Sequence, residues 1–469
     1  MAGGRYDVLV IGGGPGGYTA AIRAAQLGLR AAVVEKEAVG GLCLNWGCIP
    51  SKALLHCADV LETARRGADF GISFGGLSAD FGAAVDRSRQ IVAKFVAGVE
   101  TLLQQNGVEL LRGTARLAGA GGVRIEPGGE TLEAANVIIA TGGVTRSLPG
   151  VEPDGERVIA SREALFLRRA PASIVIAGGG AVGCEFAHLF RAYGSEVTVV
   201  EALPRLLPNE DEDVSRELER SFAARGIGVR TGAAVEAVAK EADGVSVRLT
   251  VDGRAEAVRA ERLLLGVGMV ANTAGLGLEE AGVELDRGWV KVDEFCRTTV
   301  PGVWAIGDVT GKLPLAHVAS HQGVVAVEKM AGREPPPLDY DRMPRAVFCQ
   351  PQVASLGLSE GQARERGRDV RTGRFPFRAS AKAMVSGETE GFVKLVVDAA
   401  TDGVLGWHAI GHGVAEMLGE ASLGSVLETT TAELGYAVHA HPTLSEALKE
   451  AALAVRGEAV HFYAPKRTP

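Results

Sequence analysis

The chain has 469 residues, 46% hydrophobic and 5% aromatic, with 63 glycines and a formal net charge of −8. That length exceeds one ordinary core and implies two to four domains, and the composition is that of an α/β enzyme rich in tight turns. The acidic balance, without a Lys/Arg run, excludes a nucleic-acid surface; no apolar stretch is long enough to span a membrane and no export signal is legible, so a cytoplasmic protein is expected.

The first predicted elements lie in YDVLVIGGGPGGYTAAIRAAQLGLRAAVVEK: an apolar strand, a glycine turn at Gly12, Gly14 and Gly17, an alanine-rich helix and a second strand ending at Glu35. Glycines at this spacing let the backbone approach a pyrophosphate at a helix N-terminus, and the acid at the end of the second strand accepts ribose hydroxyls. The same grammar returns in SIVIAGGGAVGCEFAHLFRAYGSEVTVVE, with Gly178, Gly180, Gly183 and the terminal acid Glu201. One chain therefore carries two dinucleotide sites. A carboxylate at Glu201 suits a free ribose 2′-hydroxyl and repels a 2′-phosphate, which favours NAD over NADP.

Between the two units, GGLCLNWGCIPSK places Cys43 and Cys48 five positions apart. A regular helix would hold such residues about 8.6 Å apart at Cα, beyond disulfide range, so a bond between them needs a helix broken near Gly47 and Pro50. The pair reads as a cycling disulfide or as two reduced packing thiols. Cys57, Cys184, Cys296 and Cys349 are scattered, without metal-ligand spacing, and read as packing residues.

Further on, LPLAHVASHQGVVAVEKMAG reads as a helix and PPPLDY as a linker. PQVASLGLSE and GFVKLVVDAATDGVLGWHAIG mix apolar and polar residues as a half-buried sheet would. In HAHPTLSEA, Glu446 follows His441 by five residues, and an imidazole oriented by a carboxylate makes a base near neutral pH.

Together the cysteine motif, ATGG from Ala140 to Gly143, VPGVWAIGDV and HAHPTLSEA, in this order over nearly the whole length, resemble the flavin-dependent pyridine nucleotide-disulfide oxidoreductases, and within them the dihydrolipoyl-oxidising branch. The resemblance implies an α/β fold with two Rossmann-like domains, for FAD and NAD, and a C-terminal α/β dimerisation domain. Its expected boundaries are 1–150 and 272–342 for the split FAD and central domain, 151–271 for the NAD domain and 343–469 for the dimerisation domain. It implies FAD and NAD contacts from Gly12, Gly14, Gly17, Glu35, Lys36, Gly41, Lys52, Ala115, Thr141, Gly142, Asp308 and Ala316, and from Gly178, Gly180, Gly183, Glu185, Glu201, Val235 and Gly268. Lys52 would pair with Glu185.

The same resemblance makes Cys43 the interchange sulfur, Cys48 the flavin-facing sulfur, and His441 with Glu446 the acid-base pair of the other subunit, with His439 outside the base position. The implied activity is oxidation of a protein-bound dihydrolipoyl group by NAD⁺, as a homodimer docked to the lipoyl-bearing acyltransferase of a 2-oxo acid dehydrogenase complex. Glutathione-reductase-like and mercuric-reductase-like activities, or a flavoprotein scaffold without turnover, are the alternatives. Against the first two stand Glu201 with Ala181 and a C-terminal stretch without a cysteine pair. GVGMVAN, from Gly266 to Asn272, departs from the family's frequent G-R-x-P-N pattern.

Overall fold

The computed structural model describes residues 5–119, 121–251 and 253–463. Three larger sheets organise them. In the first, Tyr6–Ile11 lies between Ala31–Glu35 and Glu130–Ile139 in parallel, and its near-continuous apolar run is buried on both faces. Val303–Ala305 joins the same sheet beside Glu130–Ile139, although the whole second sheet lies between them in sequence. Helix α1 (Pro15–Gln26) follows the first glycine turn, with Pro15 in its first turn where a missing N–H costs nothing. An added Cβ at Gly17 would strike the Gly12 carbonyl, so glycine there is required by the close approach of helix and strand.

The chain then runs through α2 (Gly41–Trp46), α3 (Cys48–Arg65) and α4 (Phe81–Gln105). The second sheet is wholly parallel, in the order Gly228–Arg230, Glu196–Val200, Ser173–Ala177, Arg262–Leu265, Val158–Ala160, with α5 (Ala181–Ala192) after its glycine turn and α6 (Glu212–Ala224) further on. The predicted helix after Asp308 is α7 (Ala316–Met330), which packs on α1. Its Gly323 comes so near that an added Cβ would lie 2.8 Å from the Gly16 carbonyl oxygen. The protein is thus an α/β molecule with two Rossmann-like units and a C-terminal α/β unit. Among the described residues no helix is long and apolar enough to cross a membrane.

The third sheet is antiparallel, Arg345–Val347, Gln352–Gly357, Val404–Gly411, Phe392–Asp398, Val370–Pro376. Its expected half-burial is corrected: every residue of Phe392–Asp398 is buried. One face packs on α8 (Val414–Val426) and α9 (Glu446–Val455) through Val393, Leu395, Trp407 and Ala409. The other face meets α6, and its lysine, Lys394, is paired instead of solvated. Lys394 is 4% exposed, and its Nζ lies 2.9 Å from Asp211, 2.7 Å from Asp213 and 3.0 Å from Glu360. Alternation along the strand survives, but a second domain covers the polar side.

Candidate active site

Cys43 sits in α2 and Cys48 opens α3, and Gly47 breaks the helix between them with φ −141° and ψ −110°. A side chain there would meet the Leu42 side chain at 2.7 Å and its carbonyl oxygen at 3.0 Å. The break lets the two sulfurs hydrogen-bond each other as free thiols. Around it, Asn45 Nδ2 donates to the carbonyls of Val39 (2.9 Å) and Gly41 (3.0 Å), Arg89 of α4 donates to the Asn45 carbonyl at 2.6 Å, and Arg162 stacks over the Trp46 ring at 4.1 Å.

One turn beyond Cys48, Lys52 Nζ donates to both Glu185 oxygens, and the Phe348 amide donates to the same carboxylate at 3.0 Å. The environment separates the two thiols. The hydrogen bond from Cys43 and the charge of Lys52 outweigh burial and Glu185, so the Cys48 thiol ionises below its ordinary range. Cys43, donating to Cys48 and buried, is pushed up. Tyr18 of α1, which packs against the same hydrophobic cluster as Cys43, is raised by burial and by the charge of both sulfurs.

The two glycine turns share one construction. Glu35 Oε2 accepts from the Gly13 amide at 2.8 Å and Oε1 from Glu37 at 2.7 Å; Glu201 Oε2 accepts from Gly179 at 2.6 Å and Oε1 from Leu203 at 2.8 Å. Arg205 donates to the Pro208 carbonyl at 2.9 Å. An added Cβ at Gly12 or Gly178 would strike backbone, whereas one at Gly180 meets nothing within 4 Å and one at Gly14 only Gly41, at 4.0 Å. Each helix N-terminus therefore carries a tight backbone turn with an open concave side, the shape a pyrophosphate fills.

Of the remaining predicted contacts, Gly41 begins α2 against Gly14, exposed Lys36 follows Glu35, and Ala115 is buried in the strand Thr114–Leu117. Thr141 Oγ1 donates to the Asn272 carbonyl at 2.8 Å and Asn272 returns a bond to Thr141 at 3.1 Å, with the Asn272 amide on Gly142. The exit segment that departs from the family pattern is thus pinned across to Gly143–Thr145. Asp308, beside Gly143, has its carboxyl pushed up to about 6 by burial. Ala316 opens α7, Val235 lies at a bulge in Ala233–Lys240, and Gly268 has φ +96°.

The His441 Nδ1–H donates to Glu446 Oε1 at 2.8 Å, and the Thr443 amide donates to Oε2 at 2.8 Å. Nε2 is left free on a ring whose side chain is 69% exposed. Burial pushes Glu446 up, but the Thr443 amide, the His441 hydrogen bond and the charges of His441 and His461 hold it below the usual carboxylate range. His439 pairs separately with Glu420 at 2.8 Å. Among the described residues no hydrogen bond or ion pair links His441 or Glu446 to Cys43, Cys48 or Lys52 within the chain.

Family models match residues 6–323 as pyridine nucleotide-disulphide oxidoreductase and 343–452 as the dimerisation domain of that family. The chain belongs to the pyridine nucleotide-disulphide oxidoreductases. Within this family it is 48% identical to the dihydrolipoyl dehydrogenase of Chlorobaculum tepidum over 452 residues, 96% of each chain. It is 45% identical to that of Bacillus subtilis over 471 residues, 98% of this chain and 99% of the relative. Among solved structures, LpdA from Mycobacterium tuberculosis matches with a TM-score of 0.87 at 32% identity, over 95% of this chain and 98% of that one. FAD and NAD(H) are the cofactors of this family, and the two open glycine turns with their braced acids fit both.

Tyr18, Asn45, Arg89 and the Phe348 amide were not foreseen as oxidoreductase site residues. Tyr18 and Asn45 adjoin the glycine and cysteine motifs, a signal that local reading could have used. Arg89 and Phe348 reach the site only through the packing of α4 and the third sheet.

Proposed function

We propose that the protein is a dihydrolipoyl dehydrogenase, oxidising a protein-bound dihydrolipoyl group with NAD⁺ through the Cys43–Cys48 pair and FAD. The observation that carries it is the helix break at Gly47, which sets an acidified Cys48 thiol against Cys43 one turn from the Lys52–Glu185 ion pair. The first turn, with Gly12, Gly14, Gly17, Glu35, Lys36, Gly41, Lys52, Ala115, Thr141, Gly142, Asp308 and Ala316, would hold FAD. The second, with Gly178, Gly180, Gly183, Glu185, Glu201, Val235 and Gly268, would hold NAD. Glu201, fixed by two backbone amides, would repel a 2′-phosphate, which supports NAD over NADP.

In the oxidised pair, Cys43 is the sulfur a substrate thiolate attacks, forming a mixed disulfide and releasing Cys48 as thiolate. His441 takes the proton from the substrate thiol at Nε2, while Glu446 holds Nδ1–H and stabilises the imidazolium. The second substrate sulfur, losing its proton to solvent, displaces Cys43, which leaves as a thiol on the proton returned by the His441 imidazolium, and closes the substrate disulfide. Lys52 stabilises the negative charge left on Cys48. FAD and NAD⁺, when bound, supply the route by which the electron pair of the reduced cysteines reaches nicotinamide.

The exposed His441 acts on the cysteines of a second copy, so the working form is a homodimer. Exposed Leu423, Val426, Leu427, Tyr436 and Val438, close in sequence to His441, supply apolar surface for that contact. By the same reading the enzyme is cytoplasmic and docks to the acyltransferase of a 2-oxo acid dehydrogenase complex. The test is a steady-state comparison of dihydrolipoamide, glutathione disulfide and Hg(II) with both nicotinamide cofactors, on wild type and Cys48→Ser. Preferred turnover of dihydrolipoamide with NAD⁺, lost in Cys48→Ser, is expected; preference for glutathione disulfide with NADPH, or wild-type turnover in Cys48→Ser, would overturn the reading.

A further inference from the structure

A residue of the C-terminal unit touches both ions of the Lys52–Glu185 pair. Lys52 stands on α3 and Glu185 on α5, while Phe348 directly follows Arg345–Val347, the first strand of the third sheet. The Phe348 amide donates to Glu185 Oε1 at 3.0 Å. Its ring has Lys52 Nζ 4.9 Å from the centroid, within the range of a cation–π contact. Glu185 meanwhile accepts from Lys52 on both oxygens, at 2.8 and 2.7 Å. One residue thus gives a hydrogen bond to the anion and an aromatic face to the cation. Its own position is fixed on either side. Upstream, Arg345 Nε donates to Glu210 Oε1 at 3.1 Å and binds the strand to the second unit. Downstream, Cys349 is 1% exposed and its thiol donates to the Pro351 carbonyl at 3.2 Å. Phe348 packs on the cluster that joins Leu54 and Leu55 of α3 to Phe186 and Phe190 of α5.

We infer that Phe348 is a positioning residue for Lys52: the dimerisation domain lays an aromatic face against the ammonium and keeps its charge beside the Cys48 sulfur, one turn back along α3. This rests on Lys52 acting on Cys48 in the proposed reaction. A lysine ammonium is a point charge on a flexible stem with three rotatable donors, so a carboxylate alone sets its distance and leaves its side of approach free. The ring removes that freedom. At Cys48 the charge of Lys52 favours the thiolate and that of Glu185 opposes it, with Cys43 as the remaining ionisable neighbour. Glu185 cannot follow a lysine that turns away, because the Phe348 amide holds its carboxylate whatever side chain residue 348 bears. A displaced ammonium would therefore leave the sulfur facing uncompensated negative charge.

The test compares wild type with Phe348→Leu, which keeps apolar bulk and the backbone amide but loses the aromatic face, and with Phe348→Tyr, which keeps that face. In reduced holoenzyme the pH midpoint of Cys48 alkylation by iodoacetamide is read by mass spectrometry. In Phe348→Leu it is expected to rise by roughly 0.4–0.7 units, the scale of one cation–π contact, and in Phe348→Tyr to stay within about 0.2 units of wild type. Phe348→Met, a second apolar replacement, is expected to match Phe348→Leu. Lys52→Met supplies the reference background: there Phe348→Leu is expected to move the midpoint no further, since the ring acts through the lysine. An unmoved midpoint in both apolar variants, an equal rise in Phe348→Tyr, or a full further rise on top of Lys52→Met would reduce Phe348 to a packing residue and overturn the inference. Lys52→Met alone separates the two failures: if it keeps the wild-type midpoint, the role of Lys52 at Cys48 falls, and the inference with it.

Discussion

Lys52 Nζ lies 2.8 and 2.7 Å from the two carboxylate oxygens of Glu185, and this pair ties the helix that begins at Cys48 to the helix of the second glycine turn. Lys52 is a cause of the acidity of Cys48, second among the favourable ones to the hydrogen bond from Cys43, while Glu185 opposes it. Lys52→Met leaves Glu185 unbalanced beside the thiol. In reduced enzyme the pH midpoint of Cys48 alkylation by iodoacetamide, followed by mass spectrometry, is expected to rise by about 1 unit or more. An unchanged midpoint would remove Lys52 from the control of Cys48.

Glu201 is held by the amides of Gly179 and Leu203, so its carboxylate cannot swing aside for a larger ligand. Glu201→Ala removes an acceptor from the ribose 2′-hydroxyl and the repulsion of a 2′-phosphate together. The ratio of kcat/KM for NAD⁺ over NADP⁺ is expected to fall by about tenfold or more, the worth of one hydrogen bond to a charged group. A constant ratio would place the discrimination elsewhere.

The two glycine units were legible because everything that defines them is local: strand, turn, helix and terminal acid lie within about thirty residues, and the acid reaches back to its own turn. His441 and Glu446 were legible for the same reason. The broken helix at Cys43 and Cys48 followed from disulfide geometry, since a regular helix could not hold the pair. Lys52 and Glu185 lie 133 residues apart, and only family resemblance joined them before the structure did. The third sheet misled the reading because Lys394 and His408, on neighbouring strands in register, alternate with apolar residues as solvent-facing ones do. Strand periodicity distinguishes two faces, and it carries no information on whether a second domain covers the polar one.

That covered face yields a stability prediction. Burial works against the charge of Lys394, but Asp213, Asp211 and Glu360 outweigh it and raise the ammonium above its ordinary range; Asp211, despite burial, is held below the carboxylate range. Lys394→Met strands carboxylates without their cation and is expected to cost about 3–5 kcal/mol, seen as a large fall in Tm. The Lys394 contribution is fully present below about pH 10.4 and fades as pH rises through its raised folded value; that of Asp211 is present above about pH 3.9 and fades as pH falls through its lowered one. Thermal melts of wild type and variant are therefore expected to differ most between those limits and to converge at alkaline pH. A pH-independent difference would mean that the lost methylene packing, not the charge, set the cost.

His441 and Glu446 belong to the dithiol half of the reaction, so removing the base divides the activities. His441→Ala is expected to slow dihydrolipoamide oxidation by roughly 10²–10⁴, the usual worth of a positioned general base. Oxidation of NADH by an artificial electron acceptor such as ferricyanide needs no substrate thiol deprotonated and is expected to stay near wild type. Glu446→Gln leaves an amide oxygen that can still accept from His441 Nδ1–H, but it withdraws the charge that stabilises the imidazolium, so its loss is expected to be smaller and concentrated in the same half-reaction. Because Glu446 is held below the carboxylate range, it is ionised at neutral pH and its charge stands beside His441 under the assay conditions. Stopped-flow reduction by dihydrolipoamide and steady-state ferricyanide assays on the same preparations check the division. Equal losses in both assays would indicate a disturbed fold or dimer in place of a missing base.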